Sequence, residues 1–203
     1  MAGILSNLRS TIIVSLILAV LMYALYYVLA GSEYSGAAVT IAFLRWIHVL
    51  SGVMWIGLLW YFNFVQIPNM AKIPDDQKPA IGKVIAPAAL FWFRWGAAAT
   101  LLTGLALAGH RGYLVETLTI GAMDGFANAQ HVFLGLGMWM GIIMAFNVWV
   151  IIWPNQKIAL GLIDAPAEAK PAAARTAMLY SRTNTLLSLP MLVAMAGSQT
   201  LFG

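Results

Sequence analysis

Cysteine is absent from this chain. Its absence excludes disulfides, thiolate metal sites, iron–sulfur clusters and the Cys-x-x-Cys-His attachment of a c-type haem. Any redox centre must be held by other side chains. Charge is almost as scarce: 9% of the residues are charged, against roughly 25% in soluble domains. With 62% of its residues hydrophobic, the chain reads as an integral membrane protein. The net charge of +4 does not point to nucleic acid, because the basic residues are scattered through loops between apolar runs, where they act as topology signals.

What is present is a series of apolar runs long enough to cross a bilayer core of about 30 Å. The pattern predicts an all-α bundle of about five membrane-spanning helices in one domain, over residues 11–30, 40–65, 87–108, 128–153 and 184–202. The first run reads as a retained helix rather than a cleaved signal peptide, since its apolar region is too long. Residues 66–86 hold Pro68, Pro74 and Pro79 with Asp75, Asp76 and three lysines, and read as an irregular solvated loop. Residues 112–126 are only half apolar and read as a loop with an interfacial helix. Pro190 is expected to kink the last span.

Placing the N-terminus in the cytoplasm puts Arg9, Lys72, Lys78, Lys83, Lys157, Lys170, Arg175 and Arg182 on the cytoplasmic side. The positive-inside rule favours that orientation, with the C-terminus outside, in a bacterial inner membrane. A rise of ~1.5 Å per residue then sets His48 about 12 Å below the outer end of its helix. His131 falls near the outer end of the fourth span, and His110 at the outer end of the third.

A histidine within an apolar span is expensive and is expected to face the bundle interior with a partner. His48 and His131 each have a glycine one turn on, Gly52 and Gly135, where a planar group can approach the backbone. This arrangement raises one reading, a b-type haem held between His48 and His131 as axial ligands, with Arg45 pairing with a propionate. A second is a cofactor-free accessory subunit of a larger membrane complex. A third is an outer-half copper site built from His48, His131 and His110. The structural alternative for His110 is an interfacial polar residue beside Arg111. The methionines and tryptophans read as core and belt residues, and Arg94 as a residue that lends its stem to packing.

Three blocks carry a resemblance: LRWIHVLSGVMWIG in the second span, FNVWVIIWPNQK at the end of the fourth and NTLLSLPM in the fifth. Together they resemble the membrane domain of the bacterial membrane-bound urate oxidase (urate hydroxylase) family, whose longer members end in a cytochrome c domain. The present sequence resembles a short form without that domain, and it has Thr183 and Gln199 where the resemblance leads one to expect histidines. His48 and His131 fall on the family's positions. The resemblance implies a membrane redox module passing electrons to or from a periplasmic cytochrome c or a partner subunit, as part of a hetero- or homo-oligomer. No acid–base pair or nucleophile in the spans indicates a substrate.

Overall fold

The computed structural model describes residues 2–30 and 36–202. Among them there is helix and no strand. A single turn, Ala2–Leu5, precedes α1, Leu8–Ala30. The others are α2, Gly36–Met70, α3, Lys78–Arg111, the short α4, Leu114–Leu118, α5, Ala129–Ala159, and α6, Ala169–Leu201. The chain divides into two compact units, Met1–Ala42 and Phe43–Gly203. In the first, the Tyr23 hydroxyl donates to the Ala42 carbonyl at 3.0 Å.

Four helices, α1, α2, α3 and α5, are long and apolar enough to cross a membrane. The sequence leads one to expect a fifth, at 184–202, but α6 does not reach that apolarity. The reason lies in its inward face. Apart from Met191, the buried positions of α6 are small or polar, among them Ala177, Ser181, Asn184, Ser188 and Ser198, while Leu186, Leu189 and Val193 are exposed. This is the reverse of a water-facing amphipathic helix, whose apolar stripe turns inward.

The prolines also behave differently from the sequence expectation. Residues 66–86 do not form a long loop: α2 runs on to Met70 and α3 begins at Lys78, nine residues before the expected start at 87. Each of three helices contains a π-helical stretch, Tyr61–Gln66, Ile81–Ile85 and Asn147–Ile152. Each stretch stands just before a proline, at Pro68, Pro87 and Pro154. A proline offers no N–H and its ring crowds the carbonyl four residues back. Widening the preceding turn to i→i+5 bonding relieves both problems without ending the helix. Pro190 lies within α6 with no such stretch before it.

In the second unit the core is a band of large side chains, with Trp55, Leu59, Phe93, Met144 and Val148 almost wholly buried. Phe62 meets Phe93 edge-on at 5.7 Å. Polar side chains tie α6 to its neighbours. Asn147 donates to Asn184 Oδ1 at 2.8 Å, and Asn184 donates to the Met144 carbonyl at 2.9 Å. Asn63 donates to Ser181 Oγ at 2.8 Å, and the Trp60 indole to Ser188 Oγ at 3.1 Å. With lipid as apolar as leucine, such bonds and small-residue contacts hold helices together where hydrophobic burial cannot. Arg94 stacks its guanidinium 3.3 Å from the centre of the Trp153 ring, a cation–π contact.

Candidate functional site

The second unit holds a half-open cavity of about 640 Å³, within the roughly 300–1,000 Å³ typical of small-molecule and cofactor sites. Its walls are mainly apolar. Polar side chains are few: Arg45 and His48 from α2, Thr100 from α3, Tyr113 just after it, and Gln199 from α6.

His48 is held against α3. Its Nδ1 lies 2.9 Å from the Thr100 carbonyl and 3.4 Å from Thr103 Oγ1. The Thr103 hydroxyl already donates to the Ala99 carbonyl at 2.6 Å, so both neighbours of Nδ1 are acceptors. The proton therefore sits on Nδ1, and Nε2 keeps its lone pair with no partner among the described residues. A backbone carbonyl fixing one ring nitrogen while the other stays free is the support that metal-bound imidazoles commonly have. Arg45 stands one turn before His48, and its Nε is buried without a hydrogen-bond partner. An orphaned guanidinium nitrogen beside a cavity calls for an anionic group, because a buried donor left unpaired is costly.

Thr100 and Gly104 are the supports that sequence reasoning missed. A Cβ at Gly104 would lie 2.8 Å from His48 Cε1, so only glycine lets the imidazole take this position. The legible signal was the spacing of Thr100 and Gly104, one turn apart on α3, in a helix where Gly104 reads only as a packing residue. Gly104→Ala is expected to turn the His48 ring away from Thr100 and to weaken any ligand held on Nε2 by about tenfold, the lower end for losing a supporting shell. A binding titration of the variant checks this.

Of the other expected site residues, Gly52 lines the same cavity as Arg45 and His48. His131 and Gly135 do not line it. His131 Nδ1 is 2.6 Å from Asp124 Oδ2, and its Nε2 is 3.3 Å from the Asn128 amide nitrogen. Its ring is 6.3 Å from that of Tyr113, which itself borders the cavity. The loop between α4 and α5 coils tightly to bring Asp124 there, with Ile120, Gly121, Gly125 and Phe126 all at positive φ. For a β-branched residue such as Ile120 that backbone region is an outlier. Gly135 is pressed against the backbone of α4 at the Thr117 carbonyl, so its missing side chain serves helix approach rather than an open face.

His110 is exposed at the end of α3 and donates from Nδ1 to its own helix, to the Ala106 carbonyl at 2.9 Å. Among the described residues no three His, Asp or Glu side chains come together as a metal-binding group, so the three imidazoles do not converge as the copper alternative requires.

Geometry thus defines a class: a helical bundle with membrane-type surfaces and a half-open apolar cavity, bordered by one imidazole with a free nitrogen and one unpaired guanidinium nitrogen. Residues 110–200 match the family model described as Urate oxidase N-terminal, which relates that stretch to a urate oxidase-related family. The matched stretch contains Tyr113, His131 and Gln199, whereas Arg45, His48 and Gly52 precede it. No curated protein and no solved structure matches the chain.

Proposed function

We propose that this chain is a membrane-embedded redox module of urate oxidase-related type, holding a b-type haem in the His48 cavity and exchanging electrons with a cytochrome c or a partner subunit. The reading rests on one observation: the wall of a 640 Å³ apolar cavity presents an imidazole whose Nδ1–H is spent on a backbone carbonyl, leaving Nε2 to bind. The unpaired Arg45 Nε fits the same group, since it would pair with a propionate. When bound, the haem supplies one-electron chemistry at a potential set by its ligands and surroundings. The chain's residues would hold and shield it. His48, positioned by Thr100 and Gly104, would bind through Nε2, Arg45 would neutralise negative charge, and the buried Trp55, Ile56 and Leu134 would supply apolar walls.

The reading includes five spans, with α6 as the fifth. Support comes from its exposed Leu186, Leu189 and Val193 and its small, polar inner face, a pattern suited to a lipid surround. The charge bias orients the bundle with its N-terminus in the cytoplasm of a bacterial inner membrane. A reporter at Asp75 is then expected inside and one after Gly203 outside; both on one side contradicts the five-span arrangement.

The cofactor is tested by titrating the purified chain in detergent with haemin and following tryptophan fluorescence, since Trp55 and Trp60 border the cavity. Saturable quenching with equimolar haemin is expected. Quenching that rises without saturation contradicts the haem site and favours a cofactor-free accessory subunit.

A further inference from the structure

We infer that the second axial position of a haem in this cavity is taken by a methionine thioether, that of Met138, and not by a second imidazole; the inference rests on the haem reading above. Two spaces share a wall here. Beside the large cavity lies a recess of about 60 Å³, and His48, Met138, Met191 and Met195 border both. One imidazole and three thioethers from α2, α5 and α6 therefore converge on the same place. Tyr113 and Gln199 border only the large cavity, and the Thr100 hydroxyl, which borders both, is bonded to the Gly96 carbonyl at 2.7 Å.

His131 is placed elsewhere. Both of its ring nitrogens are engaged, Nδ1 by Asp124 and Nε2 by Asn128, and freeing Nδ1 would leave Asp124 with both carboxylate oxygens unpaired, since its Oδ1 already lacks a partner. Met138 lies seven residues on from His131, two turns further along the same face of α5. The three thioethers also differ in how they are committed. Met191 belongs to the buried core with Trp55 and Leu59, and Met195 packs against that core, while Met138 does neither and is half-buried. Its long unbranched side chain is free to present sulfur to the cavity. A thioether opposite an imidazole raises the reduction potential relative to paired imidazoles, which suits a module that draws electrons from a donor toward a higher-potential cytochrome.

The test uses the full chain with haem bound, in its oxidised form, read by near-infrared magnetic circular dichroism, where a sulfur-to-iron charge-transfer band reports thioether ligation and a differently placed band reports two imidazoles. The parent is expected to show the sulfur band. Met138→Leu should lose it and lower the midpoint potential, while Met138→His should move the band to the two-imidazole position and keep the iron low-spin. Met191→Leu, Met195→Leu and His131→Gln should all retain the sulfur band. A two-imidazole band in the parent, or a sulfur band that survives Met138→Leu, overturns the inference while leaving the haem intact. A parent that takes up no haem at all fails the underlying reading instead, and the absence of any Soret band makes that outcome distinguishable.

Discussion

Replacing His48 by alanine is expected to abolish stable haem binding: the haemin dissociation constant should rise by more than the roughly 10–100-fold that loss of outer-shell support alone costs a metal site. The expectation follows from how the imidazole is held. Its Nδ1 is committed to the Thr100 carbonyl, and among the described residues the same cavity offers no other imidazole. Removing the ring leaves thioethers, which are poorer anchors for ferric iron. The fold should survive, because His48 borders a cavity rather than the packed core of Trp55, Leu59 and Phe93. Circular dichroism at parental helicity, together with lost haem uptake, is the expected pair of results. Parental affinity in His48→Ala would remove the residue from the site.

Gly135→Ala is expected to act on the other half of the sequence-level pair, and in a different way. A Cβ there would run into the backbone of α4 at the Thr117 carbonyl, with the Ile120 Cα 3.1 Å away. Backbone cannot swing aside as a side chain does, so α4 or α5 must shift. Overpacking of this kind costs typically about 1–3 kcal/mol, and here the strained loop at Ile120 and Phe126 has little room to absorb it. The melting temperature in detergent should fall by several degrees, and any haem bound at His48 should keep its ligation in the protein that remains folded. A variant that melts like the parent but loses its haem spectrum would reverse this assignment and return Gly135 to the cofactor.

The contrast between these two glycine-flanked histidines shows what the sequence could convey. Apolar length alone revealed the four long spans, because a bilayer imposes a minimum run. Arg45, His48 and Gly52 stood out as polar or small residues inside such a run, and the structure brings all three to one cavity. His131 carried the same local signature, yet its surroundings depend on the left-handed turns at Gly121 and Gly125 that bring Asp124 to it. That is a tertiary fact with no counterpart in spacing. The helix ends near Pro68 and Pro87 were misplaced because proline was read as a breaker, while a π-helical turn lets the helix continue through it. Met138, Met191 and Met195 were read as core filler, since three thioethers on two helices declare a common recess only when the helices are packed.

The most direct test of the account is the reduced-minus-oxidised absorption spectrum of the full chain, purified in mild detergent from membranes of a host that makes haem b. A sharp b-type α-band and a shifted Soret band, with haem equimolar to protein, are the predicted result. Folded, fully helical protein that shows no haem absorption, either as isolated or after incubation with haemin, would contradict it.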